Sequence, residues 1–258
     1  MLPLWELATN IPMKPRILFL LAILFVLFNA STPVYNDVTT AYDYTGAWES
    51  SFEDENGRKI KAITILMDGF IAETWVDASN NHFIRTQGGS WTIDNNKFTL
   101  LIEFNSSDSS TVGSTIEANF ERKGDQVKFE EDTKVWTRID KGKKGDLAGA
   151  WLFAGRKKDG EITRREPSQR KTMKILSKTR FQWIAFHTGT GKFSGTGGGT
   201  YTAKKGKYVE NIDFFSRDNS RVGASLSFDF DVKDGEWHHS GLSSKGNPIY
   251  EIWAPRKE

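Results

Sequence analysis

The chain has 258 residues, of which 38% are hydrophobic and 26% are charged, with a formal net charge of +2 and no cysteine. This composition excludes a disordered chain, and the length allows one large domain or two of ordinary size. The absence of cysteine excludes disulfide bonds, thiolate metal sites, cysteine nucleophiles and a lipid-modified cysteine.

The first predicted element is an export signal. A basic segment at residues 13–16 precedes an uninterrupted apolar run at residues 17–28, and small residues follow it. The run is shorter than the roughly 20 residues that cross a bilayer, and this order is typical of a secretory signal. We predict a signal peptide at residues 1–30, with Met13 as an alternative start, and a linker at residues 31–42. The mature protein is then secreted or periplasmic and not a lipoprotein; a retained membrane anchor is the alternative.

The rest of the chain is predicted to be an internal duplication. Gly-Gly-Ser-Trp-Thr at residues 88–92 returns as Gly-Gly-Thr-Tyr-Thr at residues 198–202, and the same offset of 110 relates a series of aromatic and glycine positions around it. A constant offset of this kind indicates repeated structural units. We predict an N-terminal copy at residues 43–140, a linker at residues 141–145 and a C-terminal copy at residues 146–256.

Each copy is predicted to be built of β-strands. Apolar and polar residues alternate in Leu226–Val232, and Asn56-Gly57 and Asp234-Gly235 are typical of hairpin turns. Eight antiparallel strands in about 95 residues suit a closed up-and-down barrel, which leaves no exposed edge. In the first copy the predicted strands begin near Trp48, Ile60, Phe70, Phe83, Phe98, Thr115, Gln126 and Lys134.

The first strand of each copy resembles a known signature. Gly-Ala-Trp ending at Trp48, and again at Trp151, resembles the Gly-x-Trp motif that opens lipocalin barrels. The second copy also resembles the lipocalin-like domains of uncharacterised secreted bacterial proteins. The resemblance implies an all-β fold of two tandem eight-stranded antiparallel up-and-down barrels. It implies that each tryptophan closes a barrel floor, with Arg138 and Arg256 packing across the two rings. It implies a ligand-holding interior without naming the ligand.

The two copies carry opposite charge. Residues 31–140 hold 10 Lys and Arg against 19 Asp and Glu, whereas residues 141–258 hold 23 against 13. Opposite charges favour contact between the two barrels, and an anionic ligand for the basic copy is the alternative.

The C-terminal barrel is the expected ligand container. Glu210 shares a strand face with large apolar residues, and the first copy has Leu100 in its place, so the fold does not require this carboxylate. Counted from the opening tryptophans to Phe70 and Phe181, the second copy has eight extra residues, which we expect in a loop at the barrel mouth. The predicted ligand-binding residues are Phe181, Trp183, Tyr201, Tyr208, Phe228 and Trp237 as walls, Glu210, His239 and Glu251 as polar anchors, and Arg164 and Arg165 at the mouth.

The predicted function is the binding of a small, partly apolar ligand, with an anionic group as an option, by an exported protein. One alternative is an isomerase or dehydratase that uses a Glu–His pair in the barrel; another is a non-catalytic envelope protein whose barrels are filled with side chains. We assign no catalytic residue, metal site or cofactor, expect no nucleic-acid partner, and expect membrane contact only through the signal segment. A cavity of at least roughly 300 Å³ would favour a ligand over filled barrels. A buried carboxylate–histidine contact at about 2.6–3.2 Å would favour an enzyme.

Overall fold

The computed structural model describes residues 44–142, 145–243 and 246–257. The predicted signal peptide at residues 1–30 and the linker at residues 31–42 lie outside these ranges. Among the described residues, no helix has the length and hydropathy needed to cross a membrane.

The first copy is a closed barrel of eight antiparallel strands, each paired with the next along the chain and the last paired with the first. Every strand begins within two residues of the position predicted for it. The strands are β1 (Gly46–Glu53), β2 (Lys59–Met67), β3 (Phe70–Asp77), β4 (Phe83–Asp94), β5 (Lys97–Asn105), β6 (Thr115–Lys123), β7 (Gln126–Phe129) and β8 (Val135–Asp140).

The second copy repeats this barrel, and β9 closes it by pairing with β17. The strands are β9 (Gly149–Lys158), β10 (Glu161–Arg164), β11 (Arg170–Leu176), β12 (Arg180–His187), β13 (Phe193–Lys204), β14 (Lys207–Phe215), β15 (Ser225–Lys233), β16 (Glu236–Leu242) and β17 (Pro248–Pro255). Both β10 and β11 pair with β9, so together they take the place of β2. The predicted fold class, two tandem eight-stranded antiparallel barrels, is confirmed.

The extra residues of the second copy lie between β9 and β11. The offset between copies is 103 at Gly46 and Gly149 but 110 at Phe70 and Arg180, the first residues of β3 and β12. The insertion is therefore seven residues long, not eight. The predicted length was wrong because Phe181 is equivalent to the residue after Phe70.

The repeated Gly-Gly pair is required where neighbouring strands approach closely. The pairing of β4 with β5 shifts register between Gly88 and Gly89. A Cβ atom on Gly89 would lie 1.9 Å from the carbonyl oxygen of Leu101, so no larger residue fits. The same register shift recurs between Gly198 and Gly199 in β13. These bulges bend the sheet and so help each barrel to close.

The two barrels pack against each other through an apolar contact that we call the inter-barrel seam. Its side chains alternate along each strand with side chains that point into the barrel, so they project from the outer faces of the strands. Beside it, the amide of Gln182 donates to the hydroxyl of Thr86 at 3.0 Å, and the backbone amide of Ala150 donates to Asp68 at 2.9 Å. The seam consists of Ile65, Met67, Phe70 and Ala72 from β2 and β3, Met173, Ile175, Ile184 and Phe186 from β11 and β12, Phe104 from β5 and Ala150 from β9.

The opening tryptophans occupy equivalent places in the two barrels. The indole of Trp48 donates to the carbonyl of Tyr44 at 2.9 Å, and that of Trp151 donates to the carbonyl of Leu147 at 3.0 Å. The guanidinium of Arg138 lies 4.2 Å from the centre of the Trp48 ring, as expected of a cation–π contact.

The structure corrects the expected role of Arg256. Its guanidinium lies 3.7 Å from the centre of the Phe70 ring and binds Glu103, both in the first barrel, instead of covering Trp151. The cause is register. Arg138 pairs directly with Trp48, whereas the partner of Trp151 is Pro255, which leaves Arg256 one residue further on and on the opposite face.

Candidate functional site

The first barrel encloses a cavity of about 430 Å³. Its walls are mainly aliphatic and aromatic, and its polar groups gather near the end where β1 leads into β2. The lining includes Tyr44, Trp48, Leu66, Ile71, Ile93, Phe98, Leu100, Ile116, Ala118, Phe120, Val127, Phe129 and Trp136, together with Thr64, Glu73, Gln87, Glu131, Asp132 and Lys134.

The cavity exists because three inward positions carry smaller side chains than their counterparts. At the offset of 110, Ile71, Ala118 and Val127 correspond to three bulky aromatic residues of the second barrel. Those counterparts are Phe181, Phe228 and Trp237, all buried in the second barrel's core. The same fold is therefore hollow in one copy and filled at the floor in the other.

Polar groups of the first cavity lie at two levels. Thr64 lines the wall, and its buried hydroxyl has no hydrogen-bond partner among the described residues. Nearer the rim, Glu73 accepts a hydrogen bond from the indole of Trp75 at 2.8 Å, and Lys134 pairs with Asp132 at 2.7 Å. Burial raises the pKa of Glu73, and the nearby Arg85 and Lys134 offset this only in part. The rim thus offers hydrogen-bonding groups of both signs around an apolar interior.

The interior of the second barrel carries a buried ion pair. The ammonium of Lys174 lies 2.9 Å from a carboxylate oxygen of Glu210, which also accepts a hydrogen bond from the hydroxyl of Tyr208 at 2.9 Å. The ammonium is surrounded by the rings of Tyr208, Trp237 and Trp253, with centres 4.8–5.1 Å away. Cation–π attraction therefore adds to the ion pair.

A second polar contact lies beside this pair. Nδ1 of His239 is 3.3 Å from Glu251, and the indole of Trp253 donates to the same carboxylate at 3.2 Å. Burial, together with the charge of Lys174, lowers the pKa of His239, so the ring is neutral near pH 7. At 3.3 Å the contact is slightly longer than the range of about 2.6–3.2 Å expected of proton-transfer partners.

Two spaces adjoin these polar groups. One is a cavity of about 240 Å³ lined by Glu210, Phe228 and His239 among others. The other is a cleft of about 370 Å³ lined by Phe153, Arg165, Arg170, Thr172 and Trp253 among others. Lys174, Trp183 and Glu251 line both spaces.

The structure brings together six of the eleven predicted ligand-binding residues. Trp183, Glu210, Phe228, His239 and Glu251 line the 240 Å³ cavity, and Arg165 lines the cleft. Phe181, Tyr201, Tyr208 and Trp237 are buried in the floor and line neither space.

Arg164 needs a correction, because its side chain is not at the mouth. Its guanidinium forms two hydrogen bonds, at 2.8 and 2.9 Å, with the carboxylate of Glu236. Glu236 precedes the inward Trp237 and therefore points outward, so Arg164 lies on the outer wall.

Sequence reasoning missed Lys174 and the hollow first barrel. A signal existed for Lys174, since it shares a strand face with Thr172 and Leu176 and replaces Thr64 at the offset of 110. Among the described residues, no group of three or more His, Asp or Glu is arranged to hold a metal ion.

These features define a class, namely a tandem β-barrel protein with a cavity in each barrel. The chain is similar to a solved structure of a lipocalin-like protein from Bacteroides uniformis ATCC 8492, with 17% sequence identity and a TM-score of 0.31. The similarity covers 43% of this chain and 100% of that one. No family model matches the chain, and no curated protein matches it.

Proposed function

We propose that the protein binds a small, predominantly apolar molecule inside the first barrel. The observation that carries this proposal is the cavity of about 430 Å³, which falls in the range of about 300–1,000 Å³ typical of small-molecule sites. An apolar wall with a few convergent polar groups is the usual composition of such sites. The cavity argues against barrels that are filled with side chains.

The comparison between the two barrels supports this location. An unfilled apolar interior costs stability, because the lining atoms lose their packing partners. The second barrel avoids part of that cost with Phe228 and Trp237, where the first has Ala118 and Val127. Since the fold accepts the larger residues, the open space belongs to the first copy's own role. The principal ligand is therefore assigned to the first barrel, although the sequence pattern favoured the second.

The polar groups limit the chemistry of the ligand. Most of its surface must be apolar, and one polar atom can reach the unpaired hydroxyl of Thr64. A further polar group can lie at the rim beside Glu73, Gln87 or Lys134. An uncharged or weakly polar molecule of one or two rings, or a short alkyl chain, satisfies these requirements.

The first test fills the cavity in the way the second barrel does. Ala118→Phe is expected to weaken the binding of the uncharged fluorescent probe N-phenyl-1-naphthylamine at least about tenfold, because the ring occupies the probe's space. Binding is measured by the rise in probe fluorescence, and circular dichroism checks the fold.

Glu117→Phe is the matched control, since it adds the same ring to the outer face of the same strand, where Glu117 is exposed. The control should bind the probe like the wild type. A wild type that does not bind the probe, or an Ala118→Phe variant that binds it equally well, would contradict the proposal.

We further propose that the protein is exported and that its ligand is met outside the cytoplasm. The proposal rests on the basic, apolar and small-residue order of residues 13–31. Mass spectrometry of the protein from the extracellular or periplasmic fraction should give a mature chain that begins near residue 31. Recovery of the chain with residues 17–28 intact in the membrane fraction would favour an anchor instead.

A further inference from the structure

The interior of the second barrel carries ionisable side chains. The first barrel has different side chains at the equivalent positions, so the fold does not need them. Four inward residues of the second barrel form this set. They are Lys174, Glu210, His239 and Glu251, and they stand where the first barrel has Thr64, Leu100, Phe129 and Lys134. Burying charge is costly unless each group is compensated. The set therefore needs an explanation other than stability.

The charges inside the second barrel do not cancel. Lys174 and Glu210 neutralise each other at 2.9 Å. Glu251 has His239 as its only ion-pair partner within 4.0 Å in the described part of the chain. Burial, together with the charge of Lys174, lowers the pKa of His239, so this ring is neutral near pH 7. Burial opposes ionisation of Glu251, but the hydrogen bond from His239 and the charge of Lys174 lower its pKa overall. Arg221 also lines the 240 Å³ cavity, but it pairs with Asp218 at 3.4 Å. The interior thus holds one negative charge without a cation of its own.

The cleft lined by Glu251 is also lined by two arginines. Arg165 and Arg170 both line the 370 Å³ cleft, and neither guanidinium has a carboxylate partner within the described ranges. Arg165 is held in place by a hydrogen bond to the backbone carbonyl of Arg170. Both residues flank the loop between β10 and β11, within the segment that is seven residues longer than its counterpart in the first copy. Guanidinium groups at such a mouth suit a carboxylate or phosphate.

Aromatic side chains also line the cleft that holds these charged groups. Phe153, Trp183 and Trp253 line the same cleft as the arginines and Glu251. Trp183 occupies the position that Glu73 has in the first barrel, so this wall is again particular to the second copy. Indole and phenyl rings pack against methylene groups and attract ammonium groups.

We propose that the second barrel is a separate site for a small zwitterion, which places its ammonium beside Glu251 and its anionic group at Arg165 and Arg170. The ligand class is an amino carboxylate or amino phosphate whose charges are joined by a short apolar chain. This site is distinct from the apolar cavity of the first barrel and does not depend on it.

Three probes of equal chain length test the proposal. Isothermal titration calorimetry compares 6-aminohexanoate, which has both charges, with hexanoate and hexylamine, which each have one. We expect 6-aminohexanoate to bind at least about tenfold more tightly than either, since each charge-assisted contact contributes at least this factor. Equal binding of hexylamine or hexanoate would overturn the proposal, and so would a lack of 6-aminohexanoate binding up to about 10 mM.

Variants then locate the two ends of the probe. Glu251→Gln should weaken the binding of 6-aminohexanoate about tenfold and leave the binding of hexanoate unchanged. The Arg165→Gln, Arg170→Gln double variant should weaken the binding of 6-aminohexanoate by a similar factor and leave the binding of hexylamine unchanged. Arg164→Gln is the matched control, because Arg164 lies next to Arg165 but on the outer wall. The proposed site is contradicted if Arg164→Gln weakens the binding of 6-aminohexanoate as much as the double variant does. It is also contradicted if Glu251→Gln has no effect on that binding.

The same titration on Ala118→Phe keeps the two proposals apart. That variant should lose the binding of N-phenyl-1-naphthylamine and retain the binding of 6-aminohexanoate. Loss of both would contradict the separate site, whereas retention of both would contradict only the first barrel's role.

Discussion

Glu210→Leu is expected to lower the free energy of unfolding by about 3–5 kcal/mol, because it leaves the buried ammonium of Lys174 without its anion. Lys174 is only 5% exposed, so water compensates for the lost carboxylate only in part. The hydroxyl of Tyr208 also loses its acceptor. Urea unfolding followed by circular dichroism measures the change.

The double variant Lys174→Thr, Glu210→Leu should recover most of this loss. It copies Thr64 and Leu100, which occupy the equivalent positions of the first barrel. Replacing both members of a buried ion pair is often neutral or stabilising, in contrast to the removal of one. Glu236→Leu is the control, since its pair with Arg164 is partly exposed and surface pairs contribute at most about 1 kcal/mol. A double variant as unstable as Glu210→Leu would refute this account of the pair.

Asp140→Asn is expected to cost about 2–4 kcal/mol near pH 7, because it disrupts a charged link between the barrels. The carboxylate of Asp140, at the end of β8, accepts hydrogen bonds from the hydroxyls of Ser177 and Thr179 at 2.8 and 2.6 Å. It also accepts hydrogen bonds from the backbone amides of Gly142 and Thr179 at 2.9 and 3.0 Å. Asparagine has an NH₂ group in place of one carboxylate oxygen, so a hydrogen-bond donor would face some of these donors.

The effect of Asp140→Asn should depend on pH in a defined direction. Burial alone would raise the pKa of Asp140, but the hydrogen bonds from Thr179, Gly142 and Ser177 outweigh it and lower the pKa. A lowered folded-state pKa stabilises the protein above the unfolded-state value of about 3.9, and the stabilisation disappears as pH falls through the folded-state value.

Urea unfolding at pH 7 and at successively lower pH measures this dependence. The difference between wild type and Asp140→Asn should be largest near neutral pH and shrink below about pH 4. Asp229→Asn, which removes an exposed partner of Lys207, is the control and should change stability little at any pH. A loss for Asp140→Asn that is equal at all pH values would show that the charge of Asp140 does not contribute.

The barrel fold was predictable because its signals are local. Alternation along a strand, a turn dipeptide and the Gly-Gly pair each act within a few residues, so the strand starts followed from the sequence. The same local parity correctly placed Glu210 and His239 on an inner face. The constant offset of 110 then carried each assignment from one copy to the other.

The features that were missed depend on residues far apart in the chain. The open volume of the first barrel is the combined effect of Ile71, Ala118 and Val127, on three different strands. The partner of Lys174 lies 36 residues away, on a strand that is not its neighbour in the sheet. Arg256 was misplaced because it stands one residue beyond Pro255, which occupies the position equivalent to Arg138, and so lies on the opposite face of its strand. Such distances are set by how the sheet closes and not by any short pattern.

The inter-barrel seam makes each copy depend on the other to cover its apolar outer face. Strands β2, β3, β11 and β12 turn apolar side chains outward, where a free-standing barrel would present polar ones to water. A single copy released by proteolysis would carry this adhesive surface and associate with other molecules. With this surface exposed, neither copy is expected to stay monomeric in solution by itself. The seam side chains lie on outer strand faces, so residues inside each barrel can change without altering the contact between the copies.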